Sequence, residues 1–311
     1  MQQEWMIHMK RAIVTGATGA VGMALIAELI ENNIEVLVLA RRESKRNARI
    51  PEHKLVKVLF CDLSELSGLS NNTSVEYDVF FHLAWEGTFG AGRNDMYLQN
   101  LNVRYALDAV GAAKRFGCKR FIGIGSQAEY GVTNETLTPY TPTFPNMGYG
   151  SAKLCAGQMS RGYAQTLGIS HIWVRILSVY GPYDRDDSMV MSTIDKLKKG
   201  IVPQFTEGVQ MWDYLYSADA ARALRLIAEK GVDKKVYVLG SGNARPLSYY
   251  IETIRSIAAP QGRILLGAIP YSEGQVMYLR ADISELKADT GFEPAWEFED
   301  GIRAIIADGF A

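Results

Sequence analysis

The sequence predicts an α/β fold: a doubly wound parallel sheet followed by a smaller C-terminal unit. Three observations carry that expectation. From Arg11 onward, short β-branched runs alternate with amphipathic stretches, the pattern of parallel strands joined by crossover helices. The runs are apolar almost throughout, as strands covered on both faces are. The first run then passes straight into a glycine-rich turn and a helix.

In chain order, strands are expected at 12–15, 34–39, 55–60, 79–83, 121–124 and 172–176. Helices are expected at 21–31, 94–116 and 151–167, each ending near a Gly or Asn stop signal. After Tyr180 the pattern loosens, broken by Pro182, Pro203 and Pro246, and a last helix is expected at 300–307. This division assigns 1–178 plus 213–242 to the sheet domain and 179–212 plus 243–311 to the smaller one. Residues 1–9 read as a flexible extension, with Met9 as a second potential start.

Composition removes several functional classes. At about 150 residues per domain, the 311 residues allow one large α/β unit or two smaller ones. With 33 Lys plus Arg against 34 Asp plus Glu, the net charge of −1 supplies no basic field for nucleic acid and no polybasic patch for a membrane. Cys61, Cys118 and Cys155 are too few and too scattered for a disulfide framework or a zinc cluster. No apolar run reaches membrane-spanning length, and the first ten residues lack the apolar core of a signal peptide, so a cytoplasmic location is expected. The acidic run Asp184-Arg185-Asp186-Asp187 reads as solvated surface or a lid segment, and no metal site is expected.

Two stretches carry chemistry. In Thr15-Gly16-Ala17-Thr18-Gly19-Ala20-Val21-Gly22, the glycines allow a tight turn, close approach of backbone to a pyrophosphate, and close packing of helix on strand. The helix start adds free amides and the positive end of its dipole. Arg41 and Arg42 follow the second strand where a carboxylate would bind the ribose of NAD, so NADP(H) is favoured, with NAD as the alternative. Asp62, after the third strand, is placed to accept from the adenine amino group. The second stretch is Tyr149-Gly150-Ser151-Ala152-Lys153, a phenol and an ammonium four residues apart on one helix face. The cation is expected to pull the phenol's pKa down toward working pH, where it exchanges a proton with an alcohol or carbonyl. Ser126, just past a strand, supplies a hydroxyl for the same oxygen.

The glycine turn, His82-Leu83-Ala84-Trp85, the Ser126 segment, Tyr149-x-x-x-Lys153 and Val179-Tyr180-Gly181-Pro182 stand in the order of the extended short-chain dehydrogenase/reductases. The chain resembles that superfamily of nucleotide-sugar epimerases, dehydratases and ketoreductases over residues 10–311. Asp213-Tyr214-Leu215-Tyr216, Asp219, Val238–Gly242 and Gly291-Phe292-Glu293-Pro294 continue the likeness. The resemblance implies a Rossmann domain with a smaller C-terminal substrate-binding domain and a homodimer formed through the helices at 94–116 and 151–167. It implies Tyr149 as general acid/base, Lys153 tuning it and holding the nicotinamide ribose, and Ser126 orienting the substrate. It adds Leu63, Leu83, Ala84 and Asn102 to the cofactor site, and makes His82 a packing residue. It places Trp85, Gln127, Ser178, Tyr183, Trp212 and Arg280 around the substrate.

Departures from the family pattern narrow the reaction. Family dehydratases carry an acid pair where this chain has Gln127 and Ala128, which transfer no protons. Enzymes of the family that epimerise and then reduce carry a Cys and a His where Ala128 and Tyr183 stand. Hydride and proton transfer at one carbon remain. The leading expectation is NADPH-dependent reduction at C4 of a nucleotide-linked 4-keto-6-deoxy or dideoxy hexose. A nucleotide-sugar 4-epimerase with retained NAD is the alternative. Ser178 and Trp212 replace an asparagine and a diphosphate-clamping arginine, and Ser272 stands at a later arginine position. Arg175, Arg245 or Arg280 would have to compensate, which also keeps open a non-sugar carbonyl substrate. A non-catalytic NADP-binding sensor is the reading of a different class.

Overall fold

A computed structural model of the chain describes residues 6–309. The strands are β1 (Arg11–Thr15), β2 (Glu35–Ala40), β3 (Val56–Phe60), β4 (Val79–His82), β5 (Arg120–Ser126), β6 (Ser170–Ile176), β7 (Ser178–Tyr180), β8 (Met211–Trp212), β9 (Tyr214–Tyr216), β10 (Val236–Leu239) and β11 (Arg245–Pro246). The helices are α1 (Ala20–Glu31), α2 (Met96–Arg115), α3 (Gly148–Thr166), α4 (Met189–Lys198), α5 (Ser217–Lys230), α6 (Leu247–Ala258), α7 (Ser284–Thr290) and α8 (Phe298–Ala307).

Seven strands form one parallel sheet in the order β10-β6-β5-β4-β1-β2-β3. Strand order therefore reverses between β1 and β4, and the crevice above their carboxyl ends is where such sheets bind ligands. Alternation along β1 fills both faces. Ala12 and Val14 pack into one core with Leu25 and Ile26 of α1 and Leu224 and Ile227 of α5. Ile13 packs into the other with Ala109 and Val110 of α2. Asp95 starts α2 by accepting from the Leu98 amide at 3.1 Å, and Lys114 and Arg115 suit the negative end of its dipole.

All six expected sheet strands are present, each within a few residues of its expected ends. The seventh, β10, was not expected as a strand, and neither were α4, α5, α6 and α7. The edge strand β3 departs from the two-face burial expected of it: Val58, Leu59 and Phe60 are 41%, 37% and 47% exposed. The cause is local, since only a short turn at Lys45–Arg49, and no full crossover helix, joins β2 to β3. Within the extension expected at 1–9, residues 1–5 lie outside the described residues. Beyond them, the Ile7 amide donates to the Glu229 carbonyl at 2.8 Å and Met9 is buried, so this part is packed, not loose.

A second core lies beyond the sheet, where Val190, Ile194 and Leu197 of α4, Tyr250 and Ile254 of α6, and Ile302 and Ile305 of α8 surround Tyr180. The short pairs β7–β9 and β8–β11 join this unit to the sheet. At that junction Asp213, fully buried, accepts from the Ser241 amide and hydroxyl, the Gly242 amide and the Ala281 amide at 2.6–3.0 Å. Among the described residues, no helix is long and apolar enough to cross a membrane.

Candidate active site

The glycine turn is built by contact. Gly16 has φ of +70°, and a Cβ there would lie 2.6 Å from the Ala84 amide nitrogen, so the turn presses on the end of β4. A Cβ on Gly22 would lie 2.4 Å from the Gly16 carbonyl oxygen. At Gly19 a Cβ would meet nothing nearer than 4.0 Å. Two glycines are thus required by the protein's own packing, while the third leaves open space at the start of α1. Gly19 is also the N-cap of α1 and brings no side chain to its first amides. An open, uncapped helix start of this kind fits a pyrophosphate.

A cleft of about 870 Å³ runs from Thr15–Gly19 past Leu39, Ala40, Cys61, Leu63 and Leu66 to Leu83, Ala84 and Trp85. Its apolar floor and polar phosphate end suit a dinucleotide. Arg41 lines the rim as expected, and Lys45, Arg46 and Glu43 line it too. Lys45 and Arg46 were missed by sequence reasoning, and the cationic turn after the second strand was the available signal. Arg42 points elsewhere: its guanidinium pairs with Glu65 at 3.2 Å, outside the cleft. Asp62 also lies outside the lining, its amide donating to Glu65 at 2.7 Å. Ala20, Val21 and Gly22 form the first turn of α1 behind the open face.

Asn102 is buried and reaches no cleft surface. It donates to the Glu86 carbonyl and accepts from the Glu86 amide, both at 2.9 Å, which fixes the segment following Trp85. Gln99, one turn earlier on the same face, accepts from Trp85 Nε1 at 2.8 Å and donates to the Gly87 and Gly92 carbonyls. Its spacing of three from Asn102 was the only sign of it in the sequence.

At the reacting end, β5 delivers Ser126, while the first two turns of α3 deliver Tyr149 and Lys153. Ser126 Oγ accepts from the Ala128 amide at 3.2 Å, and the Ser126 amide donates to Glu129 at 2.9 Å. Glu129 is fully buried and also accepts from Trp173 and Arg175, the latter at 2.7 Å. Lys153 Nζ donates to the Ile124 carbonyl at 2.7 Å and lies 3.8 Å from the centre of the Trp85 ring. Burial pushes this ammonium down to about 7, with Glu129 opposing. Burial raises the Tyr149 phenol, while its hydrogen bond with Ser126 and the charge of Arg93 pull it back. Two cations face the phenol: Arg93 lies 4.8 Å from the ring centre, Lys153 Nζ lies 5.9 Å from it, and the charge of Arg93 opposes the effect of burial. His82 is fully buried, hydrogen-bonded to Thr15 at 3.0 Å, and burial holds it near 3, as suits a packing residue.

The residues expected around the substrate are only partly convergent. Trp85 stands edge-on to Tyr149 at 6.3 Å, and Gln127 follows Ser126. Trp212 Nε1 donates to Ser178 Oγ at 2.8 Å, so the two departures from the family pattern bond to one another. Arg280 is exposed and donates to the Gly242 carbonyl. Arg175 is sealed against Glu129, and exposed Arg245 stacks on Tyr249. Tyr183, at φ +64°, turns to the glycine turn through Arg49, which donates to the Thr18 carbonyl at 3.1 Å and the Tyr183 carbonyl at 3.5 Å. In the acidic run beyond it, Arg185 pairs with Asp187 and lies over Phe89 at 4.1 Å. Among the described residues no group of side chains is arranged to hold a metal ion.

Comparison with known proteins agrees with this geometry. The chain is 25% identical to the dTDP-glucose 4,6-dehydratase of Neisseria meningitidis, over 96% of this chain and 92% of that one. Its fold matches a UDP-glucose 4-epimerase from Thermotoga maritima with a TM-score of 0.84 at 21% identity, covering 96% and 97% of the two chains. It also matches RMD from Pseudomonas aeruginosa complexed with NADPH, with a TM-score of 0.81 at 22% identity, covering 96% and 98%. Residues 12–240, from the first strand to the end of the seventh, match one family throughout: the chain belongs to the NAD dependent epimerase/dehydratase family.

Proposed function

We propose that the protein reduces a nucleotide-linked 4-keto-6-deoxy or dideoxy hexose at C4, using NADPH. The observation that carries this reading is a phenol at the reacting end with no free carboxylate beside it among the described residues. Tyr149 stands beside the Ser126 hydroxyl, Gln127 and Ala128 follow, and the nearest acid, Glu129, is sealed by Ser126, Trp173 and Arg175. That arrangement suits proton transfer to one oxygen and offers no partner for dehydration, although the dehydratase of Neisseria meningitidis is similar over nearly the whole chain.

NADPH, when bound, supplies the hydride for C4. The chain's own groups do the rest. The Ser126 hydroxyl holds the C4 oxygen beside the phenol, and Tyr149 donates its proton to that oxygen. The open start of α1 receives the pyrophosphate, and Arg41, Lys45 and Arg46 face the 2′-phosphate. Lys153, buried beside Trp85 with its Nζ on the Ile124 carbonyl, is assigned to the nicotinamide ribose on the family resemblance. Tyr97, Leu101, Met159 and Tyr163, all exposed on α2 and α3, support a homodimer through those helices.

A second reading, a 4-epimerase retaining NAD, is favoured by Glu43 on the rim and the withdrawal of Arg42 to Glu65. Calorimetric binding of NADPH and NADH, with identification of any nicotinamide that co-purifies, separates the two. NADPH favoured at least tenfold, about 1.4 kcal/mol, supports the reductase; tightly retained NAD overturns it. Tyr149→Phe is expected to abolish turnover of a 4-keto sugar nucleotide and leave NADPH affinity within twofold. Turnover that survives this substitution sinks the assignment of Tyr149.

A further inference from the structure

Arg93 belongs to a single turn, Gly90–Asn94, that sits between the cleft wall and α2. Its guanidinium lies over the face of the Tyr149 ring, 4.8 Å from the centre, and its Nε donates to Met147 Sδ at 3.3 Å. The turn is docked on the start of α3. Asn94 Oδ1 accepts from the Gly148 amide at 3.0 Å, and a Cβ on Gly148 would come within 2.8 Å of Met96 Sδ and 3.1 Å of the Arg93 carbonyl oxygen. No carboxylate forms an ion pair with Arg93 among the described residues. A half-buried cation without an acidic partner is thus held, from both sides, against one phenol.

We propose that Arg93 is a positioning residue that sets the acidity of Tyr149 through the face of its ring. When the phenol O–H bond breaks and its proton passes to the substrate oxygen, the electron pair left on the phenol oxygen delocalises into the ring. A guanidinium over that face then gains an ion-pair component on top of the cation–π attraction already present in the neutral phenol. The other groups facing Tyr149 do not duplicate this role. Lys153, on the same helix, stands farther from the ring centre, at 5.9 Å, and its ammonium is engaged by the Ile124 carbonyl and Trp85. The negative charge of Glu129, on the turn after β5, is held by Arg175, and Ser126 on that turn is neutral. Trp85, from the loop after β4, presents only an uncharged edge. The charge of Arg93 opposes the rise that burial and, to a smaller extent, Glu129 impose on the phenol.

The functional consequence rests on the acid role given to Tyr149 above, but the test reads the phenol without substrate. Placing 3,5-difluorotyrosine at position 149 of the full chain acidifies that phenol alone and gives it a private fluorine resonance. In Arg93→Gln the titration midpoint should rise by roughly 0.5–1.5 pH units, about 0.7–2 kcal/mol of extra attraction for the phenolate over the phenol. Arg93→Lys should recover at least half of that rise. NADPH affinity should stay within twofold in both, because Arg93 does not line the cleft. An unchanged midpoint in Arg93→Gln overturns the proposal, and so does an equal rise in both variants, which would make the contact a spacer. Failure to reduce any 4-keto sugar nucleotide while the midpoint moves as expected would instead remove the reductase reading and leave this one standing.

Discussion

The cations that follow β2 meet different fates within a few residues, and the proposed use of NADPH gives each a different expected effect. Arg41 and Arg46 line the cleft, whereas Arg42 is held outside by Glu65. Arg41→Ala and Arg46→Ala should therefore each weaken NADPH binding about tenfold while leaving NADH unchanged, the loss of one charge-assisted contact. Arg42→Ala should leave both affinities within twofold. Isothermal calorimetry on the three variants decides, and a loss confined to Arg42→Ala would reverse the assignment. The sequence made the pair Arg41-Arg42 legible as cations at the tip of β2, and Arg41 does line the cleft. Which member faces inward depends on how the turn at Lys45–Arg49 folds back, and that is a tertiary matter. Ser126, Tyr149 and Lys153 were legible for the opposite reason. Two lie one helical turn apart and the third ends a strand, so local geometry alone nearly brings them together. Arg93 was not legible, since only the docking of its turn on Gly148 brings it to the phenol.

Elements of this chain are joined by a few buried carboxylates, and Asp213 carries the heaviest share. It receives four donors from two distant segments, 241–242 and 281, and itself lies between β8 and β9. We predict that Asp213→Ala costs about 3–5 kcal/mol, because it strands several buried donors at once. Urea unfolding of the variant checks this; a change below 1 kcal/mol would mean that water readily replaces the carboxylate. Asp213 was visible in the sequence only as part of a family motif, its bonding partners lying 28 or more residues away. The helices follow the same logic. α1, α2 and α3 declare themselves by apolar spacing and stop signals. α4 and α6 lie where prolines interrupt the pattern, and their apolar faces make sense only once Tyr180, Tyr250 and Phe298 are packed between them. β10 is four residues long, too short to stand out until β6 pairs with it.

The whole molecule stores a pH response in its sheet. His82, Phe121, His171 and Trp173 stack in a row across β4, β5 and β6, with neighbouring ring centres 5.6–6.2 Å apart. Burial holds His82 near 3 and His171 near 4, the charges of Lys153 and Arg161 adding to the effect and Asp233 opposing it at His171. Both rings are neutral when folded, whereas the unfolded chain takes up protons below about pH 6.5. Stability is therefore complete above pH 6.5 and falls as pH drops toward 4, by about 2 kcal/mol per histidine on reaching pH 5. Urea melts at pH 7 and 5 should show that loss, and His171→Gln should remove roughly half of it. Equal stability at the two pH values would mean that these rings are charged in the folded state. A last consequence follows from Trp85, which lines the cleft while its ring rests on Lys153 and its edge meets Tyr149. An indole so placed is an optical antenna. A reduced nicotinamide arriving at that end of the cleft would take up its excitation, so the emission colour of the protein itself would report, turnover by turnover, whether the hydride donor is seated.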